Sequence, residues 1–103
     1  MGMIMFYVTF PDEEAAKKLS EHLVTEKLVA CSNIHPMQSN FFWQGIMEHD
    51  DEWVAIYKTS FANTGIVEST IEKLHPYDVP CILHWEFSCN LAYEKWLRKN
   101  IVE

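Results

Sequence analysis

Residues 3–10 read MIMFYVTF, and this stretch decides the fold that we expect for the chain. The side chains alternate with the two-residue period of a β-strand, and the even-numbered positions form one continuous apolar face. That face consists of Ile4, Phe6, Val8 and Phe10. The odd-numbered face is also largely apolar, so we expect a central strand with helices on one side and another subunit on the other.

Three helices are predicted after this strand in the chain order. Asp12 is the predicted N-cap of a helix that runs to about Lys27, since an aspartate side chain accepts a hydrogen bond from the first turn. A second helix is expected over about 62–74, capped by Ser60 or Asn63. A short C-terminal helix is expected after Asn90.

A long antiparallel hairpin is predicted between the first two helices. Its first strand begins at Leu28, is interrupted over 36–38 where Pro36 bends it, and resumes until Met47. The tip is expected in the acidic segment near 48–51, followed by a second strand over 53–59. Because such an arm is unstable alone, its aromatic residues are expected to lie against a neighbouring chain.

A last strand over 81–88 completes the order β-α-β-β-α-β-α. This order predicts the α+β class, with a ferredoxin-like split βαβ arrangement and an added C-terminal helix. At 103 residues the chain is expected to form a single domain over 1–103. Its 49% hydrophobic content and four tryptophans exceed what a small monomer needs, which favours an oligomer.

Charge and cysteine content exclude several classes of protein. A net charge of −7, from 15 acidic and 8 basic residues, disfavours nucleic acid as a partner. The three cysteines form an odd set without a Cys-x-x-Cys motif, which favours reduced thiols in the cytosol. The chain has neither the pattern of a signal peptide nor an apolar run of the roughly 20 residues that span a membrane. We therefore expect a cytoplasmic protein without a membrane partner.

The segment HPYDVP, residues 75–80, contains two prolines four positions apart. Pro76 ends the preceding helix, and Pro80 marks the entry to the last strand. His75 and Tyr77 therefore lie on a short, stiff connection. The residues leave two interpretations open, a rigid corner with satisfied hydrogen bonds or a presented functional site.

Metal ligands are not arranged in a recognisable motif. The five histidines are scattered, with no i, i+2 pair on a strand and no i, i+4 pair on a helix. A metal site would have to be assembled by the fold or between subunits. Cys31 is the best soft-ligand candidate, since thiolates suit copper(I) and zinc, although it would equally serve as a small buried apolar residue.

Lys58 ends the otherwise apolar strand face that contains Val54 and Ile56. An inward lysine needs a carboxylate partner, and Glu52 and Glu86 are the candidates. Together with the HPYDVP segment, such a pair would form either a proton-transfer pocket or an ion-pair network that fixes an interface. The chain lacks a glycine-rich phosphate loop and a recognisable serine nucleophile, so we expect no enzymatic activity.

Six short motifs lie in order along nearly the whole chain. They are VT-x-PD from residue 8, L-x-AC-x-NI-x-P from 28, W-x-G-x-M from 43, KT from 58, HPY-x-VP from 75 and Y-x-x-WL from 93. Taken together they resemble the CutA divalent-cation-tolerance family. The resemblance implies a ferredoxin-like protomer in a tight homotrimer, with long strands pairing between subunits, and a role in tolerance to copper and other divalent cations.

The resemblance also implies a set of site residues. The residues at family-motif positions that are expected to line an inter-subunit cleft are Asn33, Trp43, Glu52, Lys58, His75, Tyr77 and Trp96. Cys31, Cys81 and His75 are the candidate ligands for copper or another divalent cation. No tightly bound cofactor is expected. The chain departs from the family pattern at Ser32, where valine is usual, at Cys81, where glutamate is usual, and at Cys89, where glycine is usual.

Two functional hypotheses follow. The first is a cytoplasmic, homotrimeric metal-response protein that binds a divalent cation or copper at inter-subunit sites. The second is a signalling-type trimer without a metal role, whose cleft around Lys58, His75 and Tyr77 receives a small anion or a partner peptide.

Overall fold

Two helices cover one face of a four-stranded antiparallel sheet, and a third helix lies against one end of the opposite face. The computed structural model describes residues 2–103. The elements are β1 (Met3–Phe10), α1 (Glu13–Thr25), β2 (Cys31–Trp43), β3 (Ile46–Ser60), α2 (Thr64–Leu74, after a 3-10 turn at Phe61–Asn63), β4 (Ile82–Phe87) and α3 (Leu91–Lys99). This arrangement confirms the predicted α+β class.

The strands lie in the order β2-β3-β1-β4, and every neighbouring pair is antiparallel. β1 therefore occupies the interior position predicted from its two apolar faces. The unit β1-α1-β2 is split, because β3 lies between its two strands.

The core lies between the sheet and the helices α1 and α2. The even-numbered side chains of β1 point into it, and Phe6, Val8 and Phe10 are fully buried. Each large apolar side chain buried in this way contributes about 1.5–3 kcal/mol. The Tyr57 hydroxyl in the same core lies 2.9 Å from the Ser20 hydroxyl, and burial raises the pKa of Tyr57 to about 12. Tyr57 is therefore a neutral hydrogen-bonding group.

The opposite face of the sheet is covered only in part. At one end, Leu97 of α3 lies in a small cluster with Met3 and Ala30. Beyond α3, Leu83 and Trp85 remain 52% and 43% exposed. We call this uncovered part the open face; it consists of Met5, Tyr7, Ile56, Leu83 and Trp85, which the strand register places on one side of the sheet.

The hairpin arm formed by β2 and β3 is continuous. The two strands pair from Cys31 opposite Lys58 to Trp43 opposite Ile46. The predicted interruption over 36–38 is wrong, because Pro36 lies within β2 opposite Trp53. β2 is the outer strand of the sheet, where a proline is tolerated.

The tip of the arm also differs from the prediction. It lies at Gln44 and Gly45, whose φ angles are 51° and 82°, and not near residues 48–51. Positive φ at both central residues is what a two-residue hairpin turn requires. The acidic segment read as a turn is instead the first part of β3, because its charged side chains stay accessible on a projecting arm.

Replacement by alanine should destabilise the protein at Gly45 but not at Gly65. A Cβ at either position meets no atom within 4 Å, but Gly45 has φ +82° whereas Gly65 lies in α2. We expect Gly45→Ala to lower the free energy of unfolding by about 1–2 kcal/mol. Gly65→Ala should raise it by up to about 1 kcal/mol. Urea denaturation of both variants checks this, and equal effects would contradict the assigned turn.

The helix ends agree with the predicted caps at two places. The Asp12 carboxylate accepts a hydrogen bond from the Ala15 N–H at 2.8 Å, and α2 ends at His75 with ψ 140°. Asn63 precedes α2, but its side chain donates instead to the carbonyls of Leu28 and Val102. Within residues 2–103, no helix combines the length and apolarity needed to cross a bilayer.

Candidate functional site

His75 is held in one protonation state by the two hydrogen bonds of its ring. Its Nε2 lies 2.7 Å from the Thr9 carbonyl oxygen, so Nε2 carries the proton and donates. Its Nδ1 accepts the Tyr77 N–H at 3.0 Å, so Nδ1 is unprotonated. Burial lowers the pKa of His75, against the opposing effects of the Thr9 hydrogen bond and the Glu52 charge. The neutral ring also stacks on Phe10, with 4.7 Å between centroids.

Tyr77 joins this corner to the hairpin arm. Its hydroxyl donates to Glu52 Oε2 at 2.7 Å. Burial, reinforced by the hydrogen bond to the Glu52 carboxylate, raises the pKa of Tyr77, so the phenol stays a neutral donor. Glu52 itself is only 7% exposed. The corner is therefore a rigid turn with satisfied hydrogen bonds, and its role as a functional site stays a prediction.

A cleft of about 520 Å³ lies between the arm and the corner. We call it the acidic cleft. Its acidic lining residues are Glu48, Asp50, Glu52 and Asp78, and its aromatic lining residues are Phe41, Trp43 and Tyr77. A volume of this size suits a small ligand.

Cys81 also lines the acidic cleft. Burial, together with the nearby Glu52 charge, raises the pKa of the Cys81 thiol. Because the thiolate is the form that binds metals, a metal ion at Cys81 would have to displace the thiol proton, and its own charge would offset that of Glu52.

Lys58 lies elsewhere, beside α3. Its Nζ donates to the Tyr93 hydroxyl at 3.3 Å and lies 5.2 Å from the centre of that ring. The predicted ion pair of Lys58 with Glu52 or Glu86 is wrong. Glu52 is six residues away on the same strand, which corresponds to about 20 Å, and the register places Glu86 on the helix-covered face.

Cys31 belongs to the same cluster as Lys58. Its Sγ lies 3.5 Å from the Tyr93 hydroxyl, and the Tyr93 ring stacks on Trp96 at 5.6 Å. The hydrogen bond with Cys31, aided by burial, raises the pKa of Tyr93. We call Cys31, Lys58, Tyr93 and Trp96 the thiol–phenol cluster.

The structure thus divides the predicted site residues between two places. Trp43, Glu52, Tyr77 and Cys81 line the acidic cleft, and His75 adjoins it through its hydrogen bond with the Tyr77 N–H. The thiol–phenol cluster holds Cys31, Lys58 and Trp96. Asn33 is exposed on β2 near the second of these.

The candidate metal ligands do not meet within one chain. Cys31 and Cys81 belong to different places, and both ring nitrogens of His75 are engaged in hydrogen bonds. Among residues 2–103, no three histidine, cysteine, aspartate or glutamate residues form a group that could hold a metal ion.

Several residues of these sites were missed from the sequence. Tyr93 was noted as the first residue of the Y-x-x-WL motif but not predicted as a site residue, although it contacts both Lys58 and Cys31. Glu48 and Asp50 were assigned to a turn, although their spacing of two with Glu52 is that of a strand. That spacing was the available signal.

The split antiparallel sheet, the projecting arm and the ligand-sized cleft at its side define the class of this molecule, a small α+β protein with a cleft beside a long hairpin. Residues 4–100 match the family described as CutA1 divalent ion tolerance protein. The chain therefore belongs to the CutA1 divalent ion tolerance family.

The similarity of this chain to its relatives and to solved structures extends over nearly its whole length. The divalent-cation tolerance protein CutA of Thermococcus kodakarensis is 37% identical over 100 residues, covering 96% of each chain. The protein of the same description from Pyrococcus horikoshii is 41% identical over 96 residues, covering 92% of this chain and 94% of its own. The crystal structure of CutA1 from Oryza sativa is 34% identical, with a TM-score of 0.95, and covers 100% of this chain and 96% of its own.

Proposed function

We propose that the chain acts in divalent-cation tolerance as a cytoplasmic homotrimer of ferredoxin-like protomers. In this proposal the trimer binds copper or another divalent cation at sites completed where subunits meet. The role is one of binding and not of catalysis. Family membership supports the metal-tolerance role, and the open face of the sheet supports the assembly.

The observation that carries the assembly is the amount of large apolar surface left exposed. On the arm, Phe42 and Ile46 are 68% and 65% exposed, and on the open face Leu83 and Trp85 are 52% and 43% exposed. Large apolar side chains exposed to this extent mark interaction sites in soluble proteins. The arm also makes the molecule 45 Å long but only 23 Å wide, so the strands project beyond the core that could cover them.

The metal part of the proposal depends on residues from more than one chain. Thiolates of Cys31 and Cys81 would favour copper(I) among the available ions. Since the two thiols lie in different places of one chain, a site that uses both needs a neighbouring subunit. When bound, the cation would offset the negative charge of Glu52, which together with burial raises the pKa of Cys81.

Two measurements test the proposal. Light scattering should give three times the 12.1 kDa chain mass, and Leu83→Asp on the open face should reduce that mass, whereas Ile66→Asp on the exposed side of α2 should not. Copper(I) titration should show binding that Cys31→Ser or Cys81→Ser weakens at least tenfold and Cys89→Ser leaves unchanged. A monomer mass would contradict the assembly, and equal binding by all three cysteine variants would contradict the metal site.

Sensing of a small anion finds less support. That hypothesis needs Lys58 beside His75 and Tyr77, but within one chain Lys58 contacts Tyr93 of α3. The cleft beside His75 and Tyr77 is lined by carboxylates, which repel an anion.

A further inference from the structure

We propose that α3 and the segment after it form a lid over the thiol–phenol cluster, and that Asn63 is the positioning residue that holds this lid closed. We call residues 91–103 the lid. Its opening, with the rest of the fold intact, controls access to Cys31 and Lys58. The inference rests on the proposed function only in that Cys31 is a candidate ligand there, and it adds how access to that thiol is regulated.

The first argument is the set of contacts that Asn63 makes. Its side chain is only 3% exposed, and Nδ2 donates to the Leu28 carbonyl at 3.1 Å and to the Val102 carbonyl at 2.8 Å. An asparagine before a helix usually bonds the first turn of that helix. Asn63 instead uses both amide hydrogens to join the turn after α1 to the lid.

A third hydrogen bond fastens the lid at the same place. The Val102 N–H donates to the Lys27 carbonyl at 2.8 Å. Lys27 has φ 58°, a left-handed conformation that is uncommon for lysine, in the turn that presents its own carbonyl and that of Leu28 to the lid. These bonds join segments of one chain, and neither the open face nor the hairpin arm supplies any of their atoms.

The second argument is that the lid packs on a cluster separate from the main core. Leu97 of the lid is fully buried beside Met3 and Ala30. Tyr93 and Ile101 of the lid are partly buried in the same cluster. The main core lies between the sheet and the helices α1 and α2. A unit with its own small set of apolar contacts opens at a lower free energy than the whole protein unfolds. Opening of the lid therefore leaves the main core intact.

The third argument is what the lid covers. Cys31 and Lys58 lie opposite each other on β2 and β3, so their side chains are on the same face of the sheet. The Tyr93 hydroxyl of the lid lies 3.5 Å from Cys31 Sγ and accepts a hydrogen bond from Lys58 Nζ at 3.3 Å. A free thiolate reacts with electrophiles and binds soft metal ions. The closed lid occupies this thiol, and opening releases it.

Labelling of Cys31 by iodoacetamide tests the proposal on the full chain at a fixed protein concentration. Cys81→Ser and Cys89→Ser together leave Cys31 as the single thiol, and mass spectrometry gives the labelling rate of this parent protein. We expect the rate to rise only slightly with urea below the unfolding transition, because a local opening exposes little surface. Asn63→Ala in the parent should be labelled at least tenfold faster.

Asn100→Ala is the matched control, because the Asn100 side chain donates to the Trp96 carbonyl at 2.9 Å, inside the lid. Its labelling rate should stay within about twofold of the parent rate. A second pair of variants keeps the test decisive if Asn63→Ala fails to fold. Val102→Pro removes the N–H that bonds Lys27 and should be labelled at least threefold faster. Val102→Ala keeps that N–H and should be labelled at the parent rate.

Hydrogen exchange distinguishes a lid from a general loss of stability. In Asn63→Ala, exchange over residues 91–103 should become at least tenfold faster, while exchange in α1 stays unchanged. Equal acceleration in α1, or equal labelling of Asn63→Ala and Asn100→Ala, would overturn the proposal. The second of these results is also the one expected if a neighbouring subunit held α3 closed. Labelling with the urea dependence of global unfolding would contradict the lid as well. These measurements use no metal ion and no oligomer mass, so failure of the lid and failure of the proposed function are distinguished.

Discussion

Replacing Phe10 with alanine should lower the free energy of unfolding by about 3–5 kcal/mol, the usual cost of truncating a fully buried phenylalanine. Phe10 has no exposed surface, and its ring stacks on His75 at 4.7 Å. The substitution therefore leaves a cavity in the core and removes the support of the corner. Urea denaturation at a fixed protein concentration measures the change, because association also contributes to stability.

Phe61→Ala is the matched control for this prediction. Phe61 is 56% exposed in the turn before α2, so its loss should change the free energy of unfolding by no more than about 0.5 kcal/mol. If Phe10→Ala cost as little as Phe61→Ala, Phe10 could not be the buried contact between β1 and the corner.

His75→Ala should lower the free energy of unfolding by about 2–4 kcal/mol at pH 7.5. The substitution leaves the Thr9 carbonyl and the Tyr77 N–H without their partners, and each unsatisfied buried group costs about 1–3 kcal/mol. Denaturation monitored by tryptophan fluorescence measures the difference. His22→Ala, at an exposed position of α1, should have little effect.

The size of the His75→Ala effect should also depend on pH. Burial lowers the pKa of His75 in the folded state below its usual 6.5, so the unfolded chain binds more protons between these two values. The stabilisation by His75 is therefore fully present above about pH 6.5 and is lost as the pH falls through the folded-state pKa. The difference between wild type and His75→Ala should shrink on acidification from pH 7.5, and a constant difference would contradict the neutral tautomer.

The sequence was most informative where local periodicity and side-chain burial agree. The alternation over residues 3–10 predicted a central strand because both faces of the segment are largely apolar, and β1 does lie between β3 and β4. The arm was predicted, but its tip was misplaced, since Gln44-Gly45 lacks the asparagine or aspartate that usually signals this turn. A run of acidic residues such as the segment near 48–51 is interpreted as a loop unless the burial of its alternate side chains is known.

The site was less predictable because its contacts join distant segments. The two prolines of residues 75–80 indicated a rigid corner, and this feature needs only the local backbone. Glu52 accepts its hydrogen bond from Tyr77, 25 positions further along the chain. Lys58 was assigned a carboxylate partner because nothing in its own strand shows that Tyr93 of α3 would reach it.

The two-residue turn at Gln44-Gly45 has a consequence for the order in which the sheet forms. Pairing of β2 with β3 starts from residues that are nearly adjacent, Trp43 and Ile46, so closing this loop costs little chain entropy. Pairing of β1 with β4 joins Met3 to Phe87 and must wait until almost the whole chain has been confined. Non-local pairings of this kind slow folding. The arm should therefore be an early folding unit and the open face a late one, so that the part of the expected subunit interface that includes β4 is completed last.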